Sequence, residues 1–379
     1  MATLVTAAAF FAFGAQGIEA AGKPAIMWTD TVLPMSDYHP FLEQPGMQSR
    51  ISRALTARLR TLSAEGKLPF VLQEGSTDLG SIRSVTNLDT PIALIPLVTL
   101  DTSFDTHYSI TGQDYYRSII FSGLSLAICS ADEESNSWRI LAMIPANSYI
   151  VEGADLSHLR TTPFSEQEKA RIYADVTERM IASMEVNLAS RVLRNIEMKA
   201  LDSGAETYQV TSVEVGSPRA REAYGSNLPF IQNMIGNFYT TKYQNVTGRI
   251  VYPPRGEGVW KKDVSSGLYA TQISTPTGSI RLSMEAPKHE IALNLSGVAK
   301  GEIATKKESD VKRDMMYKVW LKKSPIEGRE KGEATRVTDP PVREYKVGDV
   351  YIEYKEADLY TQLLIDASYD LAQQSKGNK

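Results

Sequence analysis

The chain is poor in the residues that usually announce chemistry. It has one cysteine in 379 residues, Cys129, so no disulfide can form within it. That thiol lies in the apolar run GLSLAIC, the setting of a buried small hydrophobe rather than of a reactive or lipid-bearing thiolate. Four histidines occur: His39, His107, His158 and His289. None forms an H-E-x-x-H pair, so a zinc signature is missing, and each sits in polar or loop sequence as a solvated or capping group would. Charge of one sign is missing too. The balance of 41 basic against 45 acidic residues leaves a net charge of -4, without the basic surface of a general nucleic-acid binder. No phosphate-cradling loop, dinucleotide fingerprint or G-x-S-x-G elbow stands in a strand–turn–helix context. The acidic run Asp132-Glu133-Glu134 lacks the alternating ligands of a calcium loop and reads as a solvated hairpin tip. The sequence therefore names no metal site, no cofactor and no catalytic residue.

What is present begins with MATLVTAAAFFAFGAQGIEAAGK. Leu4 to Phe13 is apolar except for Thr6. That run is too short to span a bilayer, which takes about twenty residues, but it suits the apolar stretch of a secretory signal. Small residues follow, and cleavage near Ala20 or Ala21 is expected, giving a signal peptide over 1–21. No lysine or arginine precedes the run; the alternative is an N-terminal core helix. The signal reading implies a periplasmic or secreted bacterial product. No later run of about eighteen apolar residues follows, so no transmembrane span is expected once the leader is removed. No cysteine near the cleavage point offers a lipid anchor. Asn245 and Asn294 lie in glycosylation sequons that matter only in a eukaryotic secretory pathway.

Patterning then predicts an α/β (α+β) protein. Ala25–Trp28 reads as a strand. Ile51, Leu55, Leu59 and Leu62 make one face of a helix that Gly66 stops, and PFVLQE follows as a strand. TPIALIPLVTLDTSF and the segments flanking ADEESNS are strand-rich, with a hairpin over Ala131–Ser137 and Trp138 on its return strand. Ser165 and Glu168 form a capping box ahead of a helix of about thirty residues, some 45 Å long, with an apolar stripe through Ile172, Val176, Met180, Met184, Leu188 and Val192. The two methionines read as core filler. The break at LDSGAE places a boundary near Ser203–Glu206. The expected organisation is an α/β/α sandwich over 22–203, a β-rich second domain over 204–375 and a disordered tail over 376–379. In the second half a strand TYQVTSVEV and a shorter helix over Leu228–Phe238 precede several strands forming an antiparallel sheet with one wet face. GREKGEATRVTDPPVREYKVGD reads as a long exposed loop. A helix carrying Leu359, Leu363, Leu364, Ala367 and Leu371 closes the domain, and SKGNK reads as an unstructured tail.

One basic-aromatic cluster stands out. PPRGEGVWKKD joins Arg255 and Trp260 to Lys261 and Lys262, with Tyr252 just before it. Trp260, Tyr252 and Arg255 are the candidate contacts for a ligand or partner, because an aromatic beside cations can stack on a base or sugar. The plain structural alternative is a packed tryptophan in an exposed turn.

ISRALTARLRTLSAEGKLPFVLQEGSTDL is similar to the first helix–strand unit of the CsgG-like superfamily, which also holds penicillin-binding-protein activators and the TolB amino-terminal domain. YYRSIIFSGLSLAICSADEESNSWRILAMIP resembles the hairpin that follows in that family, and the helix from Ser165 resembles its closing helix. The likeness covers residues 24–197. It implies a periplasmic α/β/α module that docks onto other envelope proteins, itself included, and it implies no catalytic residues. Members of that superfamily are commonly lipoproteins, and the amphipathic pore hairpins of the secretion channel are not identifiable here.

The function expected from these features is that of an exported, non-enzymatic envelope assembly or accessory protein working through protein contacts, with self-association among them. The alternatives are a glycan-active hydrolase, for which Glu74 with Asp78, or Asp132 with Glu134, supply the carboxylates, and a surface carbohydrate or ligand binder using Trp260 and Tyr252.

Overall fold

The computed structural model describes residues 25–29, 31–35, 38–68, 70–75, 92–110, 112–132, 137–153, 160–184, 206–255, 259–264, 266–275, 278–303, 311–325, 332–339, 342–347, 350–352 and 356–377. The leader expected over 1–21 lies outside them. Among the described residues no helix is long and apolar enough to cross a membrane.

An α/β unit opens the fold. Strand β1 (Ala25–Thr29) lies parallel to β3 (Val71–Gly75), and α1 (Met47–Ala64) joins them. The helix forms because Met47, Ile51, Leu55, Leu59 and Leu62 recur at three and four residues and bury one face. It stops where Gly66, at φ +68, turns the chain so that the Lys67 N–H reaches the Leu62 carbonyl at 2.9 Å.

Three long antiparallel strands follow: β4 (Ile92–Ile110), β5 (Gln113–Asp132) and β6 (Ser137–Glu152). The short β2 (Leu33–Pro34) lies beside β4. The hairpin expected around Ala131–Ser137 is the β5–β6 connection, and Trp138 starts the return strand, 1% exposed. With 20 residues, β5 spans about 65 Å, far more than one helical layer can cover. One face of this ribbon is covered by α1 and α2 (Glu166–Ser183): Leu94, Val98, Ile120, Leu124, Ala142 and Ile144 pack there against Leu55, Tyr173 and Met180. Its other face is divided. Ala93, Ile95, Ala127 and Met143 enter one core, while Leu100, Phe104, Ile119 and Phe121 enter another. A β-bulge between Val98 and Leu100 marks the change on β4. One extra residue reverses which side chains point where, so even-numbered residues before the bulge and odd-numbered ones after it share a face.

The capping box of α2 is formed. Ser165 N–H donates to Glu168 Oε2 at 2.9 Å, and Glu168 N–H donates to Ser165 Oγ at 3.3 Å. That backbone bond, then Arg160 and the Ser165 hydroxyl, hold the Glu168 carboxyl down at about 2. The helix is shorter than its apolar stripe suggests. It has 18 residues, and Met184 already takes an extended conformation, ψ 116°. Leu188 and Val192 lie outside the described residues. Tertiary bonds seat α2 on the ribbon: Lys169 Nζ, on a side chain 7% exposed, meets Asp105 Oδ2 at 2.7 Å, and Arg50 of α1 reaches Glu178 at 2.6 Å and Asp175 at 2.9 Å.

The remaining chain builds a second sheet and extends the first. After β7 (Thr207–Val215) come α3 (Pro218–Tyr224), α4 (Leu228–Thr247) and β8 (Ile250–Val251). Strands β9 (Lys261–Lys262), β10 (Tyr269–Thr275) and β11 (Gly278–Met284) join the first sheet, β11 lying parallel to β6. The order of that sheet is β3-β1-β4-β5-β6-β11-β10-β9. Sequence on both sides of the boundary expected near 203–206 therefore contributes to one sheet. Strands β12 (His289–Ile303), β13 (Val311–Pro325), β14 (Gly332–Val337), β15 (Val342–Val347) and β16 (Val350–Ile352) complete the second, ordered β16-β15-β13-β12-β7-β8 with β14 beside β13. Helices α4 and α5 (Glu356–Gln373) cover one face of it. The alternation along β12, with Ile291, Leu293 and Leu295 buried, gives the wet outer face expected, but the sheet is mixed rather than antiparallel, since β7 runs parallel to both β12 and β8.

Three expectations are corrected here. GREKGEATRVTDPPVREYKVGD is not a loop: it holds β14 and β15, both paired with β13, and Ala334 of β14 is buried against β13. Helix α4 runs nine residues beyond Phe238, because Tyr239 and Tyr243 continue its buried face. The tail is not wholly unstructured either. Gln374–Gly377 makes a 3₁₀ turn, with Ser375 buried and 3.2 Å from Lys323 Nζ.

Gly123 lies opposite the bulge. A methyl group there would meet Asn147 Oδ1 at 2.6 Å and Leu100 Cβ and Thr99 Oγ1 at 2.8 Å. Gly123→Ala is expected to cost about 1–3 kcal/mol by overpacking, read from urea unfolding midpoints. An unchanged midpoint would mean the bulge yields freely.

Candidate functional site

The seam where the second sheet meets the bulge of β4 encloses a cavity of about 740 Å³. Its floor is Val98–Ser103 of β4. One wall is Val210–Glu214 of β7, and another is the first half of α4, including Phe230, Gln232, Asn233 and Asn237. Pro253, Pro254, Arg255 and Trp260 close a third side, and Tyr38 and His39 stand at the rim. The cavity exists for a geometric reason. A bulge twists its strand away from its neighbours, and at this point the covering layer changes from one core to the next.

The polar groups of the wall are arranged unevenly. Asn233 Nδ2 donates to the Thr99 carbonyl at 3.4 Å, Gln232 Nε2 to the Val213 carbonyl at 2.6 Å, and Asn237 Nδ2 to Asn233 Oδ1 at 2.8 Å. Thr99 Oγ1, on a residue 6% exposed, has no hydrogen-bond partner in the protein. Behind it the polar character continues between α4 and the ribbon. Asn147 Nδ2 donates to Thr241 Oγ1 at 2.7 Å, and Gln244 Nε2 to the Met143 carbonyl at 2.5 Å, while Asn147 Oδ1, Thr240 Oγ1 and Gln244 Oε1 lack protein partners.

Asp101 shapes the rim. Its two carboxylate oxygens accept the N–H groups of Phe41 at 3.2 Å and Leu42 at 2.7 Å, which ties the segment carrying Tyr38 and His39 to the floor. Burial raises its pKa to about 6; the bonds from Leu42 and Phe41, and nearby His39, offset this only in part. Arg255 is held from several sides. Its guanidinium lies 4.1 Å from the Tyr269 ring centroid, 3.2 Å from Gln209 Oε1 and 3.8 Å from Glu290.

The structure brings together part of the cluster expected from sequence. Arg255 and Trp260 line the cavity, but Tyr252 does not; it is 3% exposed, within the core that also holds Trp260. The turn is not an exposed aromatic platform, since Trp260 is itself only 6% exposed. Lys261 and Lys262 lie on the edge strand β9 and are exposed. The carboxylate pairs are not brought together among the described residues: Asp132 pairs with Arg139 at 3.1 Å, Glu74 lies on β3, and Asp78 and Glu134 lie outside them. Of the histidines, His39 lies 3.6 Å from Glu43, His107 packs beside Tyr116, and His289 stacks on Tyr208 and pairs with Glu206. His158 lies outside the described residues. Cys129 is fully buried, and burial pushes its thiol pKa up. Among the described residues no group of histidine, cysteine and carboxylate side chains is placed to hold a metal. Thr99, Asp101, Asn233 and Asn237 were not singled out by sequence patterning. The available signal was QNMIGN, a run of amides interrupting the apolar face of α4.

A carboxyl whose pKa is higher folded than unfolded favours the fold when protonated. Its contribution is complete below about pH 4 and is lost as pH rises through about 6. For Asp101 this amounts to about 3 kcal/mol, the ordinary carboxyl value being 3.8 and the folded one about 6. Asp101→Asn is expected to remove that decline, so the stability difference between wild type and variant should change across pH 4 to 7. Parallel profiles would contradict the assignment.

The chain matches no protein-family model, and no curated protein matches it either.

Proposed function

We propose that this protein is an exported accessory component of the bacterial envelope that works by binding, holding a ligand in the cavity between its two sheets. The observation that carries this reading is the cavity itself: about 740 Å³, lined by apolar side chains together with the amides of Gln232, Asn233 and Asn237. That combination, mostly preformed space with a few placed polar groups, is what small-molecule sites require. Holding rather than reacting is favoured by how the charged groups are engaged. Asp101 is committed to two backbone N–H groups, while Arg255 donates through Nη2 to Gln209, with Glu290 3.8 Å away. The compartment follows from the signal-like start and the CsgG-like resemblance.

A role through protein contacts has one separate observation in its favour. On the outer face of the second sheet Met316 and Val337 are each 37% exposed, beside Trp320, over which Lys318 lies at 4.6 Å. Val337 lies opposite Lys318, between Met316 and Trp320 along β13, so apolar side chains are grouped around one lysine.

A ligand that binds only the folded state raises the unfolding temperature. Small molecules extracted from the source cells are expected to raise the midpoint of the wild type by several degrees. They should leave Ser212→Trp unmoved, since its indole would fill the cavity. Equal shifts in both proteins, or none in either, would refute the proposed role.

A further inference from the structure

One cation lines the cavity, and the way it is held narrows what the cavity takes. We infer that the seam cavity is a site for an apolar monocarboxylic acid, with the carboxylate on Arg255; the inference deepens the ligand reading above and rests on it. The first argument is preorganisation. The Arg255 backbone N–H donates to the Val210 carbonyl at 2.8 Å, and its guanidinium lies 4.1 Å from the Tyr269 ring centroid. Its Nη2 donates to Gln209 Oε1 at 3.2 Å, and Gln209 is fixed in turn by the bond from its Nε2 to the Pro253 carbonyl at 2.7 Å. Among the described residues that is the one hydrogen bond the guanidinium makes: Nε has no partner in the protein, and Glu290 stands off at 3.8 Å. A guanidinium is a rigid fork of N–H donors that matches a carboxylate. Here the fork is positioned in advance and most of its donors are unused, so a carboxylate binds it with little ordering cost.

Charge gives the second argument. Arg255 is the one lysine or arginine in the described lining. Glu290 offsets part of its charge, and Asp101 and Glu214 also line the cavity, so a single negative charge is balanced there and a dianion such as a phosphate monoester is not. Asp101 turns both oxygens to the Phe41 and Leu42 N–H groups, and Glu214 is exposed to solvent, where its charge is screened. The third argument is the rest of the wall. Val98, Leu100, Val213, Pro229, Phe230 and Pro254 supply apolar surface. The amides among them donate to protein acceptors: Gln232 to the Val213 carbonyl, Asn233 to the Thr99 carbonyl and Asn237 to Asn233 Oδ1. The surface left for the body of a ligand is therefore mostly apolar, and a hydrocarbon chain or ring is what it accommodates.

Isothermal titration of the full chain with octanoate, decanoate and phenylacetate, each beside its alcohol (octanol, decanol and phenylethanol), tests this. At least one acid is expected to bind about tenfold more tightly than its alcohol, the contribution of one charge-assisted contact. In Arg255→Met the acid should lose that advantage while the alcohol binds as before. Arg255→Lys, which keeps the charge and loses the fork, should keep part of it, a severalfold drop, and decides alone if Arg255→Met does not fold. The quantity read is the ratio of acid to alcohol within one protein, so a loosened cavity, which weakens both, is told apart from loss of the carboxylate contact. An acid preference undiminished in the variants would overturn the inference, because the acid would then sit elsewhere. Alcohols that bind as tightly as the acids would overturn it while leaving the cavity an apolar ligand site. No binding of any acid would overturn it too, and the extract-induced thermal shift then decides separately whether the cavity binds anything.

Discussion

The fold depends on the packing of Phe121 in the first half of β5. Its ring is fully buried and lies 5.1 Å from Phe230 and 6.4 Å from Phe238, both on α4, and 6.0 Å from Tyr149 on β6. Through this cluster a strand whose Ile120, Leu124 and Ile128 pack under α1 and α2 is also part of the core of the second sheet. Aromatic contacts of this kind bury large areas and add about 0.5–1.5 kcal/mol per pair beyond burial. The three-stranded ribbon β4–β5–β6 is thus shared by all three cores. Neither sheet is a self-contained layer, since the first sheet is completed by β9–β11 and the second rests on residues of β4 and β5.

That sharing sets the cavity. On β4 the register of inward and outward side chains changes where the covering layer changes, while β5 keeps its register from Ile119 to Cys129. The bulge at Thr99 resets the register, Gly123 leaves space for it, and Asp101, one residue past Leu100, is turned toward the segment that carries Phe41 and Leu42. Helix α4 answers from the other side with Asn233, Asn237 and Gln244 in an otherwise apolar face. The polar seam is a consequence of joining two cores through one ribbon.

Much of this architecture was legible in the sequence. The helix of Ile51, Leu55, Leu59 and Leu62, the capping box of Ser165 and Glu168, the Trp138 hairpin and the closing helix all follow from local periodicity and caps. Local pattern failed where tertiary contacts decide. The strands β14 and β15 are short, rich in charged residues and separated by prolines in the sequence, so their pattern is faint until β13 supplies a partner. The association of β11 with β6 is a pairing between residues about 145 positions apart, Leu282 with Trp138, and no local signal encodes it. The candidate site was half visible. An aromatic beside cations drew attention to Trp260 and Arg255, but Thr99 and Asp101 are ordinary residues until a bulge places them.

The central claim is that one ribbon binds both sheets into a single cooperative unit. Hydrogen exchange under increasing urea tests it most directly. Core amides of α1 and α2, and those of β13 and α5, are predicted to open together at one denaturant concentration. Opening of β13 and α5 at lower urea, with α1 and α2 still protected, would contradict it.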